Sequence, residues 1–104
     1  NPDRTRMYVQ VVDDIASDFE RSRALDKLVA QRGLSDEQVV VVLQAIGRMH
    51  SDHEKAQLLS RLVPRCADSE ALEDPFMDAV ETIQGEYTRD QLYAKFSRAK
   101  RALR

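Results

Sequence analysis

Apolar residues recur along this chain at helical rather than strand spacing. Val39, Val42, Leu43, Ile46 and Met49 follow the i, i+3, i+4, i+7 pattern of one helical face. Leu25, Leu28 and Val29 form a second such stripe, and Leu58, Leu59, Leu62 and Val63 a third. The run Val39–Leu43 taken alone would suit a strand, since β-branched residues favour sheets. It sits well inside a capped segment, however, and its counterparts Phe76 and Met77 are not strand-like, so it is read as a helix that is apolar on two sides. The pattern predicts six helices, at about 2–16, 18–31, 36–49, 52–66, 75–84 and 87–102. Turns are expected at 32–34, near His50, at 67–74 and at Gly85. For the fifth helix the expectation is that Asp74 caps it and Pro75 occupies its first position, with 69–73 a separate turn or a kinked start, because proline inside a helix costs about 3 kcal/mol.

The stripes repeat. Residues 17–25 read SDFERSRAL and residues 51–59 read SDHEKAQLL, an offset of 34. Leu25, Leu59 and Tyr93 fall in register, as do Leu28, Leu62 and Phe96. In the other half of the unit, Val9, Leu43 and Met77 align, then Val12, Ile46 and Val80, then Ile15, Met49 and Ile83. Asn1, Ser35 and Ser69 align as residues able to cap a helix. Ser17 with Glu20, and Ser51 with Glu54, fit a reciprocal capping box, and Ser35 with Gln38 fits its glutamine form. A repeat of this length is the signature of stacked helical hairpins. The expected fold is therefore all-α: antiparallel helical hairpins stacked as a short right-handed α-solenoid. The repeat units run over 17–50 and 51–84, with partial units at 1–16 and 85–104. The whole is read as a single helical-repeat domain and, because it starts and stops in mid-unit, as a fragment of a longer chain.

Charge changes the picture in one place only. The net charge is −2, which points to no class of partner. Residues 68–88 hold acids and no Lys or Arg, whereas 89–104 hold Arg89, Lys95, Arg98, Lys100, Arg101 and Arg104 against a single acid, Asp90. The plain reading is that the two last helices pair and offset each other. The sharper one makes Arg98, Lys100, Arg101 and Arg104 a contact for an anion or a partner. Tyr93 and Phe96, the aromatics of that segment, occupy core positions, so the patch lacks a base-stacking platform.

Candidate chemistry is sparse. Cys66 is the one cysteine, so no disulfide forms within the chain, and it reads as a small core residue. His50 and His53 are spaced as zinc ligands on a helix can be, but His53 fills the position of Phe19 and Tyr87, and His50 lies at a helix C-terminus, where positive charge is favoured. No metal, cofactor or catalytic residue is assigned, and no P-loop, G-x-S-x-G or H-E-x-x-H motif occurs. Nothing resembles a membrane span. No compartment is assigned.

The phrase S-D-[aromatic]-E-[Lys/Arg]-x-x-x-L at 17–25 and 51–59 resembles the HEAT-like repeats of bacterial proteins, among them repeats appended to membrane-anchored metallopeptidases of the BlaR type. The third copy, beginning Gly85-Glu86-Tyr87-Thr88, lacks the Ser and the Glu. The resemblance implies a scaffold or sensor and carries over no catalytic residue. The expected function is a non-enzymatic protein-interaction module; the alternative is nucleic-acid or anionic-surface binding through the basic helix at 89–104. A homodimer is expected through an end face, with Tyr8, Val9 and Val12 as candidates at one end and Tyr93, Phe96 and Leu103 at the other.

Overall fold

A computed structural model of the chain describes residues 2–14 and 17–103. They form six α-helices: α1 (Pro2–Asp13), α2 (Asp18–Val29), α3 (Asp36–Gly47), α4 (Asp52–Ala67), α5 (Glu70–Glu81) and α6 (Glu86–Ala102). No strand occurs among the described residues. The fold is all-α, as the hydrophobic spacing predicts. Alternate helices lie side by side, so that α1, α3 and α5 make one layer and α2, α4 and α6 the other. The shortest dimension, 19 Å, is that of two helices laid one on the other.

Hydrophobic burial explains the layering. Val9 and Val12 of α1, Val39, Val42, Leu43 and Ile46 of α3, and Phe76 and Val80 of α5 are buried from one layer. Leu25 and Leu28, then Leu58, Leu59, Leu62 and Val63, then Leu92 and Phe96 meet them from the other. Phe76 and Phe96 stack across the layers with centroids 4.8 Å apart. Because α3 and α4 have neighbours on both sides, their apolar faces are wide. Val41 and Ala45 are buried in α3, while the same register positions in α1, Met7 and Val11, are exposed. Cys66 is fully buried near the end of α4, and burial pushes its thiol up to about 12.

Three expectations need correction. The fifth helix begins at Glu70, not at Pro75, and Pro75 lies inside it. Leu72 and Phe76 are both fully buried on the same side of α5. Burying a side chain such as Leu72 contributes roughly 1.5–3 kcal/mol, enough to offset most of a proline's cost of about 3 kcal/mol. Pro64 is likewise tolerated inside α4. Second, the three capping boxes are not equivalent. Ser35 and Gln38 make the full box. Ser51 accepts from the Glu54 amide without the reciprocal bond, and Ser17 makes no side-chain cap. The amide of Ser51 is already engaged by a carboxylate from α2, so Glu54 is not needed there. Third, Val9, Val12 and Phe96, expected at a self-association face, are buried within the chain, because they hold the register of Leu43, Ile46 and Leu62. The ring position shared by Phe19, His53 and Tyr87 points into solvent. The expected cap Asn1, and Ile15 of the repeat register, lie outside the described residues.

Candidate interaction face

The recurring nonapeptide can be accounted for letter by letter. Its Ser stands at the N-cap of α2 and of α4. Its Asp reaches forward to the following unit. The Asp18 carboxylate accepts hydrogen bonds from the amides of His50, at 2.7 Å, and Ser51. The Asp52 carboxylate does the same for the amides of Gln84, at 3.1 Å, and Gly85, at 3.0 Å. Each Asp thus binds the loop that leads into the next helix of its own layer. Partial burial raises the pKa of Asp18, but the Ser51 and His50 amides outweigh it and hold the carboxyl below its usual range. The Gln84 and Gly85 amides depress Asp52 in the same direction. Gly85 has no side-chain cap, and Asp52 takes the amide that an N3 side chain takes in a capping box.

The basic letter caps the C-terminal ends of helices in the other layer, whose carbonyls lack partners within the helix. Arg21 donates to the Asp13 carbonyl at 3.2 Å. Lys55, buried, donates to the Thr82 carbonyl at 3.2 Å and its hydroxyl at 3.1 Å, and desolvation lowers its pKa. Arg89 donates to the carbonyls of Ile83 and Gln84. The final Leu is core. In the other layer, Asp36 accepts from Arg65 at 2.6 Å and from the Ser69 hydroxyl at 2.9 Å, and these bonds lower its pKa.

The Glu of the word makes no reciprocal cap at Ser17 or Ser51, and the ring beside it faces water. Phe19 is 59% exposed and Tyr87 74%, and His53 is exposed between them in the layer. Phe19 and His53 border a groove of about 770 Å³ between α2 and α4. Its floor includes the small residues Ala56 and Ser60, and its walls include Arg23, Asp26, Gln57 and Arg61. The Arg23 guanidinium lies over the Phe19 ring, 5.8 Å from its centroid. Arg61 pairs with Asp26 across the groove. Tyr87 borders a shallower depression with Asp90, Gln91, Ala94 and Arg98, and its hydroxyl accepts from Gln91 at 2.7 Å.

The residues expected to contact anions do not all face solvent. Arg98 and Arg101 are exposed. Lys100 turns toward α5, where it pairs with Glu73 at 2.7 Å and lies over Phe96. Arg104 lies outside the described residues. Of the expected self-association residues, Tyr8 is 40% exposed and donates to the Ala24 carbonyl at 3.0 Å. Tyr93 is half-buried and donates to Glu81; desolvation and that carboxylate push its phenol up to about 12. Leu103 is exposed.

His50 and His53 are both exposed, and among the described residues no group of three or more His, Cys, Asp or Glu side chains is placed to hold a metal ion. No described helix is long and apolar enough to cross a membrane. The chain matches no model of a known protein family, no curated protein and no solved structure.

Proposed function

We propose that this chain is a non-enzymatic protein-interaction module built from HEAT-like helical repeats, and that its partner binds across the outer face of α2, α4 and α6. The observation that carries this reading is the row of exposed rings, Phe19, His53 and Tyr87, at one position of a repeated word. Ser51, the two Asp residues, the basic residues and the final Leu supply a cap, inter-helix bonds and core, whereas a ring facing water contributes little to the fold. Aromatic side chains give large contact area at low conformational cost and are enriched among the residues that dominate binding. The groove beside Phe19 and His53 offers small residues on its floor and both signs of charge on its walls, which suits a peptide segment with mixed polar and apolar side chains.

A displayed library of random peptides, selected against the chain, tests the reading. Selected peptides are expected to bind the wild type and to lose at least about tenfold in affinity for the F19S/H53S/Y87S variant, as loss of anchor residues does. Equal affinity for both proteins contradicts the ring face. Titration with mixed-sequence DNA at low salt, run alongside, discriminates the other class: binding that falls steeply with salt and with loss of Arg98 and Arg101 would place the function on the basic helix instead.

A further inference from the structure

The outward side of α1 carries a stripe with its own logic. Arg4, Met7, Val11 and Asp14 follow one another at steps of three, four and three residues, which aligns them on one helical face. All four are exposed, Met7 at 68% and Val11 at 66%. Asp14 follows the last residue of α1, and its amide bonds the Val11 carbonyl at 3.1 Å, so it continues that face. Thr5, Val9 and Val12 face the opposite way, into the core.

The corresponding stripe of α3, 34 residues on, shows what this face does when it is covered. Gln38, Val41 and Ala45 are buried. Gln38 donates to Thr5 of α1 at 2.9 Å, and Arg48 pairs with Asp13 at 2.7 Å. The stripe is thus the one by which a helix in this layer seats on its neighbour. In α1 it is apolar at its centre and uncovered.

Its charges identify the occupant. Read along α1, the order is cation, apolar, apolar, anion. Laid antiparallel on a second identical helix about a two-fold axis, Arg4 of one copy meets Asp14 of the other at both ends, and Met7 meets Val11 between them. The stripe is self-complementary in that orientation. In the parallel orientation Arg4 would oppose Arg4 and Asp14 would oppose Asp14. At the far end, among the described residues, Glu73 pairs with Lys100 and Tyr93 with Glu81, so a head-to-tail chain of copies is disfavoured and closed pairing favoured. We propose that two copies of this chain associate through antiparallel α1 helices, seated by Met7 and Val11 and oriented by Arg4 and Asp14. This surface is separate from the ring face, and neither proposal depends on the other.

One helix pair covers far less than a standard interface, so the dimer is weak, with Kd on the order of 10⁻⁴ M. Sedimentation equilibrium from about 10 μM to 2 mM, a range set around that Kd, tests the proposal. The wild type is expected to pass from monomer to dimer. Val11→Lys is expected to remain monomeric throughout. R4D and D14R each turn two attractions into two repulsions and should weaken the dimer by about tenfold or more. The double variant R4D/D14R, and equally a mixture of the two single variants, should restore it. All four positions are exposed, so circular dichroism should report unchanged folding. A wild type that stays monomeric overturns the proposal. So does a dimer indifferent to Val11→Lys, or a double variant that fails to recover.

Discussion

The two ends of the helix stack carry different chemistry at positions whose counterparts in α3 and α4 are buried. At the α1 end, Met7 and Val11 stand where α3 buries Val41 and Ala45, and they face solvent. At the α5–α6 end, Glu73 stands in the register of buried Val39, and Ser97 in that of buried Val63. Glu73 pairs with Lys100, and the Tyr93 hydroxyl reaches Glu81. Polar outer faces are what stacked helical units need where stacking stops. One end of this molecule is therefore finished with polar groups, and the other still presents the apolar seat of a packed helix. The lesson is that the role of an end helix is read from its outward positions. Its inward positions follow the same repeat at both ends.

The largest expected effect comes from opening the finished end. Phe96→Ala removes one member of the buried Phe76–Phe96 stack and should cost about 3–5 kcal/mol in urea unfolding. Val12→Ala at the other end removes a smaller buried group and should cost less, no more than about 1.5–3 kcal/mol. A reversed order would mean that the α1 end anchors the stack.

Next in size are the carboxylates that join successive units. Asp18→Ala leaves the Ser51 and His50 amides without their acceptor and should cost about 1–2 kcal/mol, like the loss of a helix cap. Asp18, Asp36 and Asp52 all titrate below the usual carboxylate range when folded. The unfolded chain therefore binds protons first as pH falls, starting near the unperturbed value of about 3.9. Their stabilisation is complete above that pH and is lost below it as the folded carboxyls protonate. Urea midpoints should be flat from pH 7 to 5 and fall between about pH 4 and 2, and Asp18→Asn should make that fall shallower. An unchanged acid slope in the variant would show that the bonds from Asp18 are not formed in solution.

Smaller effects sharpen the contrast between the ends. The Glu73→Val, Lys100→Met double variant gives the finished end an apolar surface. The Glu73–Lys100 pair is partly exposed, so unfolding free energy should change by less than about 1 kcal/mol, while light scattering should report new self-association. Unchanged scattering would mean that the polar groups there do not limit stacking. Smallest of all is Gly85→Ser. The backbone there is ordinary for serine, and an added Cβ meets nothing closer than 3.5 Å. A gain of roughly 0.5 kcal/mol is expected from reduced freedom of the unfolded chain, read as a higher thermal midpoint.

Much of the architecture was legible in the spacing of Leu, Val and Ile, because one buried stripe per helix leaves a periodic trace. Five of the helices fall within a few residues of their expected bounds. The fifth does not, because local propensity at Pro75 carries no sign of the burial of Leu72 and Phe76 on either side of it. The self-association residues were misplaced because Val9 and Val12 are apolar, and apolarity alone does not separate the inward stripe from the outward one. The exposure of Phe19 did leave a trace: Arg23, four residues on, is charged, so position 19 lies off the core stripe. The reach of Asp18 and Asp52 left none. An acid in the first turn of a helix has a sufficient local reason in the helix dipole, and its partner across 33 residues appears only in three dimensions.

The central claim is that the fold does not depend on the rings of the repeated word. Urea unfolding of the F19S/H53S/Y87S variant tests it directly. The rings contribute at most an exposed cation–π contact and a surface hydrogen bond, so the three substitutions together should cost no more than about 1 kcal/mol. A loss of roughly 3 kcal/mol or more, in the range of a truncated core aromatic, would show that the rings belong to the structure and would leave the interaction face without its anchors.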